Sequence, residues 1–257
     1  MDPKQRRAAI LARLSASGEV GVDDLAGVLG VSRETIRRDL AQLDAARRLR
    51  KVHGGARALA GDEGVPPRED PFAERMELNR DAKRRIGTAA AGLFGPGTSL
   101  FIDTGSTTVA FAEALSARSG LTVITNAPRI AARAAEGSGN KVFLIGGAYG
   151  ADAGESLGPL ALEQIGRFRA ETVVLTVGAI DADCVMDFDL QEAEVAKAMI
   201  RQAAQVMVLV DRSKAGKRAV FTVASLSEVD VVVTDAPLPE PIRAALVAAG
   251  ASIVTAP

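Results

Sequence analysis

Two sets of residues have the types and spacings to do chemistry. The first is Asp103-Thr104-Gly105-Ser106-Thr107-Thr108, directly after the short apolar run 99–102. Gly105 permits a tight backbone turn. Three hydroxyls follow, and a helix starting there offers free N–H groups and the positive end of its dipole. Such a cradle suits a phosphate, although the Gly-Lys-Ser/Thr signature of a Walker loop is missing. A Ser/Thr-rich helix start is also a common structural feature, so the cradle gains meaning only from its surroundings. Other apolar runs end in Asn126, in Gly146-Gly147, in Gly178 and in Asp211-Arg212-Ser213-Lys214. Ligands of open α/β sheets bind beyond the carboxyl ends of the strands. Lys214 could present a point charge to phosphate. Asp103, Asp211 and Glu192 could accept hydrogen bonds from sugar hydroxyls, or serve equally well as caps and ion-pair partners.

The second set lies in residues 20–43. A short helix over 24–29 stops at Gly30, which can adopt the left-handed cap conformation. Ser32 stands at the N-cap position of a second helix, where Ile36, Leu40 and Leu43 form one apolar stripe. Arg33, Thr35, Arg37 and Arg38 lie off that stripe and face outward. Two short helices joined by a Gly-containing turn form a helix-turn-helix, whose second helix enters the DNA major groove. A helical hairpin with a solvated basic face is the plain alternative. Downstream, Lys51 and His53 sit in the basic run 47–53 before Gly54-Gly55. A strand there, pairing with 20–22 and leading into the glycine turn, would form a wing carrying Lys51 and His53 to DNA. His53 suits an exposed loop equally well.

Elements must position both sets. An amphipathic helix over 4–16 precedes the helix-turn-helix. Residues 58–71, with Gly61, Gly64, Pro66, Pro67 and Pro71, read as a linker. One helix is expected from 72 to 93. Thereafter apolar runs at 99–102, 121–124, 142–145, 172–177, 206–210, 229–233 and 252–254 alternate with helical stretches. That grammar implies a mainly parallel sheet covered on both faces.

Composition narrows the classes. The 257 residues suit two domains, and 47% apolar content fills a core. The net charge of −1 hides an asymmetry: residues 1–57 carry twelve Lys+Arg against seven Asp+Glu, a net of +5, leaving −6 for the rest. A basic head on an acidic body fits a chain in which only the head meets phosphate backbone. Cys184 is the single cysteine, so no intrachain disulfide forms and a reducing compartment is expected. One His and one Cys exclude a His/Cys zinc site. The first residues lack the apolar core of a signal peptide and no run is long enough to span a membrane. A cytoplasmic protein with no membrane partner is expected.

At this point the residues resemble a known family. Arg7 with Ile10 and Leu14, Leu25-Ala26, Val31-Ser32, the run Thr35-Ile36-Arg37-Arg38-Asp39-Leu40, and Val52-His53-Gly54-Gly55-Ala56 are similar to the DeoR family of bacterial transcriptional regulators. The resemblance continues through residues 101–108, Asn126, Gly146-Gly147, Glu192 with Lys197, Asp211 to Lys214 and Thr234-Asp235, so it covers nearly the whole chain. It implies a winged helix-turn-helix with Thr35, Arg37 and Arg38 on the recognition helix. It also implies a sensor domain similar to ribose-5-phosphate isomerase, with a phosphorylated sugar or polyol as ligand. Asp187-Phe188-Asp189 beside Glu192 is similar to the subgroup that senses glycerol 3-phosphate. Two departures stand out: residues 182–189 lack the glycine turn usual after Asp181, and Ala215 replaces a bulkier residue.

The expected architecture is therefore α/β: a winged helix-turn-helix over 1–57, a linker over 58–71, and an α/β effector-binding and oligomerisation domain over 72–257. The expected DNA contacts are Ser32, Arg33, Thr35, Arg37, Arg38, Lys51 and His53. The expected effector site is Asp103 to Thr108, Asn126, Gly146, Gly147, Gly178, Glu192, Asp211 and Lys214. No catalytic residue, metal or cofactor is expected. The expected partners are double-stranded operator DNA, a phosphorylated sugar or polyol, and further copies of the chain as a homodimer or homotetramer. Repression follows from the resemblance alone. The alternative is a phosphosugar isomerase-like enzyme with an accessory DNA-binding head, using Asp103, Asp181, Asp183 and Lys214 for acid–base chemistry.

Overall fold

A computed structural model describes residues 2–45, 48–52, 54–57 and 69–257. The chain divides into two units, Met1–Pro66 and Pro67–Pro257. His53 and residues 58–68 of the expected linker lie outside the described residues.

The first unit runs α1 (Pro3–Ser17), β1 (Glu19–Gly21), α2 (Val22–Leu29), α3 (Arg33–Ala45), β2 (Arg50–Val52) and β3 (Gly55–Arg57). Gly30 ends α2 in the left-handed region at φ 65°, as its position predicts. The Thr35 N–H donates to Ser32 Oγ at 3.1 Å, so Ser32 caps α3. Ile36, Leu40 and Leu43 pack with Ile10, Leu14, Leu25 and Leu49 in one core. Beside it Arg6 Nε donates to Asp39 Oδ2 at 2.5 Å, a pair almost closed to water. The wing differs from expectation. The three strands are ordered β1-β3-β2, so the partner of β1 is the strand after the glycine turn rather than the one before it. β2 and β3 pair antiparallel with Val52 opposite Gly55, and β3, whose Ala56 faces the core, takes the inner place.

The second unit opens with α4 (Phe72–Glu77) and α5 (Arg80–Ala91). The single helix expected over 72–93 is broken because Asn79 takes φ 53°, a conformation that asparagine tolerates. The chain continues β4 (Ser99–Ile102), α6 (Ser106–Leu115), β5 (Thr122–Thr125), α7 (Pro128–Ala134), β6 (Lys141–Leu144), β7 (Ala148–Gly150), β8 (Glu155–Leu157), α8 (Pro159–Ile165) and β9 (Ala170–Thr176). It ends β10 (Ala179–Ile180), β11 (Cys184–Asp187), α9 (Leu190–Ile200), β12 (Ala203–Val210), β13 (Phe221–Ser225), β14 (Val231–Thr234), α10 (Glu240–Ala248) and β15 (Ser252–Thr255).

Seven strands form one sheet in the order β15-β14-β12-β9-β4-β5-β6, and every pairing in it is parallel. Alternate residues feed two cores. Phe101, Val173, Leu175 and Val208 meet the apolar residues of α8, α9 and α10. Leu100, Ile102, Val174 and Leu209 meet those of α5, α6 and α7. The doubly covered sheet is the expected fold class. Strand order reverses between β4, which is followed outward by β5 and β6, and β9, which is followed outward by β12, β14 and β15. That reversal opens a crevice at the carboxyl ends of the two central strands.

Candidate functional site

The crevice is occupied by a solvent-open cleft of about 610 Å³. β4 leads to Thr104 there, α6 delivers Ser106 and Thr107, β9 leads to Gly178, and β12 leads to Asp211 and Lys214. A narrower recess lined by Asp103, Thr104, Asn126, Asp187, Glu192 and Val195 shares Thr104, Asp187 and Glu192 with the cleft. The cations Arg75, Lys83, Lys214 and Lys217 line the cleft but not the recess. The cleft thus sets four cations among the acids Glu69, Asp70, Asp187, Glu192 and Asp211, while the charged residues of the recess are all acids.

The expected residues divide by role. Ser106 and Thr107 begin α6 and face the cleft, while the Thr108 hydroxyl is buried and donates to the Gly105 carbonyl at 3.0 Å. Gly105 meets a spatial demand, since a Cβ there would stand 1.9 Å from Thr176 Cγ2. The Asp103 carboxylate accepts the Thr176 N–H at 3.1 Å and 3.2 Å, tying β4 to β9. Asn126 accepts from the Thr104 hydroxyl at 3.2 Å and donates to the Ser156 carbonyl at 3.1 Å. Asp211 accepts the Ser213 N–H at 2.9 Å and the Asn79 amide at 3.1 Å. Gly178 packs under Phe188. Gly146 and Gly147 line neither cavity; the Gly146 N–H donates to Gln164 Oε1 at 3.0 Å, on α8. The 182–189 departure forms β11, which brings Asp187 to the recess.

Sequence reasoning missed Glu69, Arg75, Asn79, Lys83, Asp187 and Lys217 as cleft residues. Lys83 had a signal: with Ile86, Gly87 and Ala90 it shares the buried stripe of α5, where a solvated lysine does not belong. Its ammonium donates to the Arg75 carbonyl. Glu69 had none, being set in a Pro/Gly-rich stretch.

Burial shapes the electrostatics. It pushes the Glu192 carboxyl up to about 8, with Asp187 adding repulsion, and the Asp187 carboxyl up to about 6, with Glu69 adding repulsion. Asp103, fully enclosed, is raised well above the usual carboxylate range for the same reason. Burial pushes Lys83 down to about 8 against the attraction of Asp211, and lowers Lys217. Such opposed shifts within one cleft make it a candidate ligand site.

On α3, Arg33, Arg37 and Arg38 are exposed and Thr35 is half-buried. Arg33 pairs with Asp23 at 2.7 Å and Arg37 lies 3.8 Å from Glu34. Exposed pairs of this kind contribute about 0–1 kcal/mol, so DNA phosphate can replace them. The hydroxyls of Ser32 and Thr35 bond each other at 2.8 Å. The Lys51 side chain is exposed on the hairpin.

Comparison with known proteins decides the family. Residues 6–60 match the DeoR-like helix-turn-helix domain, and residues 78–236 match the DeoR C terminal sensor domain. The chain belongs to the DeoR family. It is 32% identical to the glycerol-3-phosphate regulon repressor of Escherichia coli, over 93% of each chain. It is 31% identical to the transcriptional repressor AccR of Agrobacterium fabrum, over 90% of this chain and 89% of that one. It is 30% identical to the transcriptional regulator GlpR of Haloferax volcanii, over 99% and 98%. Among solved structures, ribose 5-phosphate isomerase A of Methanocaldococcus jannaschii aligns at 16% identity and a TM-score of 0.39, covering 53% of this chain and 54% of that one. This DeoR-family protein is a DNA-binding transcriptional regulator. The matched domains and the repressor names of its relatives carry that reading over the enzyme alternative. Among the described residues no helix is long and apolar enough to cross a membrane.

Proposed function

We propose that the protein is a cytoplasmic repressor whose first unit binds double-stranded operator DNA and whose second unit releases it on binding a phosphorylated sugar or polyol. The observation that carries this is the polarity of the cleft. The start of α6, with Ser106 and Thr107, shares the cleft with Lys83, Lys214 and Lys217, cations that the recess lacks and a setting for a phosphate. The adjoining recess holds Asp103, Asp187 and Glu192, acceptors for hydroxyl hydrogens. Glycerol 3-phosphate is the first compound to try, because several relatives are named for that regulon. In the first unit, Arg33, Arg37, Arg38 and Lys51 supply phosphate contacts and guanine-reading forks. The chain acts as a homodimer or homotetramer, since a helix-turn-helix reads paired half-sites.

One experiment tests both halves. The full chain is given a duplex fragment selected from a random pool, and retardation is followed in a gel. Phosphorylated sugars and polyols are then added beside their unphosphorylated parents. A phosphorylated compound is expected to release the DNA while its parent does not. Arg37→Ala with Arg38→Ala is expected to weaken retardation by at least about tenfold. Release by the parent at equal concentration would overturn the phosphate reading, and unchanged retardation by the double variant would remove α3 as the reader.

A further inference from the structure

We propose that Glu69 is a counter-anion supplied by the chain itself, occupying Lys214 until an incoming phosphate displaces it. This rests on the phosphate reading of the cleft. Glu69 Oε1 lies 2.6 Å from Lys214 Nζ, and Oε2 lies 2.6 Å from Arg75 Nη1. Each oxygen thus holds one cation, and all three side chains are largely enclosed, at 16%, 21% and 11% exposure. Enclosure strengthens these pairs and equally strengthens any repulsion.

Repulsion is present. Carboxylate oxygens of Glu69, Asp187 and Glu192 all lie within 4.8 Å of one another. Glu69 is therefore held by two cations and crowded by two further carboxyls, of which Asp187 repels it. A phosphate carries about −1.5 to −2 charge near neutral pH, against −1 for a carboxylate. It also finds the free N–H groups of α6 in the same cleft, which Glu69 does not use. Once phosphate engages Lys214, Glu69 keeps only Arg75 and faces the phosphate as well as Asp187, so the balance turns against its place. Glu69 stands where the second unit begins, three residues before Phe72, whose N–H donates to the Asp152 carboxylate at 3.0 Å. Ligand and chain thus compete for one ammonium at the point that follows the DNA-reading unit in sequence. The competition makes ligand binding a direct change in how that point is held, and it lowers the apparent affinity for ligand by the fraction of time Glu69 is seated.

The test is calorimetric titration of the full chain with inorganic phosphate. Glu69→Gln and Glu69→Ala are expected to bind phosphate about tenfold tighter than the unaltered chain. Lys214→Ala is expected to lose binding. In the unaltered chain, phosphate is expected to speed hydrogen exchange of the amides of residues 72–78. If both Glu69 variants bind as the parent does while Lys214→Ala loses binding, the competition is wrong and the phosphate site stands. If Lys214→Ala binds normally, or no chain binds, the site reading fails and the proposal falls with it. Unaltered exchange at 72–78 on phosphate binding would also overturn it, without recourse to any variant.

Discussion

At the residue scale, the second unit keeps several carboxyls, Glu192 and Asp187 of the cleft among them, away from their ordinary protonation. Glu192 titrates near 8, Glu155 near 7 and Asp187 near 6, each raised first by burial. In the unfolded chain these carboxyls return to 4.5, 4.5 and 3.8. Between those values the folded chain binds more protons than the unfolded one, so the stability they contribute is full below about 4 and is lost as pH rises towards 8. Lys83 runs the other way. Its folded value near 8 lies below 10.5, so the unfolded chain binds more protons in that window and stability recovers as pH rises through it. Melting temperature is therefore expected to fall from pH 5 to 8, and Glu192→Gln to flatten that fall. A variant with the parental slope would show that Glu192 is ordinarily ionised. The acceptors Asp103, Asp211 and Glu192 and the cation Lys214 were legible in sequence because each follows or faces a strand end. Glu69 was not, because its role depends on Lys214, which lies 145 positions away.

At the element scale, the site is positioned by the packing of α5 on α6. A Cβ at Gly87 would fall 2.7 Å from the backbone of Ala110 and Phe111, so the two helices approach where only glycine fits. One helix carries Lys83 and the other Ser106 and Thr107. Gly87→Ala is expected to cost about 1–3 kcal/mol from overpacking, more than the roughly 1 kcal/mol gained in helix propensity. It is also expected to weaken phosphate binding by separating the two sides of the cleft. Thermal denaturation beside a phosphate titration checks both, and a variant as stable as its parent would refute the close approach. The β-branched runs that became β9, β12 and β14 could be read directly, since buried parallel strands leave little room for other patterns. The small sheet β10-β11-β13 could not, because its strands are short and set among Asp, Ser and Lys. Nor could the break at Asn79: local propensity favours one helix, and the bonds from its side chain to Asp211 and Ser213 come from distant chain.

At the scale of the whole molecule, the two units differ in how far apart in sequence their partners lie. The first closes with Glu19 opposite Arg57. The second has β4 beside β9, with Leu100 opposite Thr172, and every strand of its large sheet is parallel and reached by a crossover. Chains are made from the N-terminus at about 5–20 residues per second. The DNA-reading unit therefore has all its strands and helices while the centre of the sensing sheet still lacks β9, and the interval is several seconds. A nascent chain can acquire the reader before it acquires the control. Proteolysis of arrested chains would display this: an emerged segment ending at Leu115 should yield a protected fragment ending near Arg57, and one ending beyond Val210 should protect β4 as well. Digestion of the first unit until synthesis is complete would contradict it. A message cut short before the codons of β9 would then yield a folded reader parted from both its sensing sheet and the unit expected to pair it with a second copy.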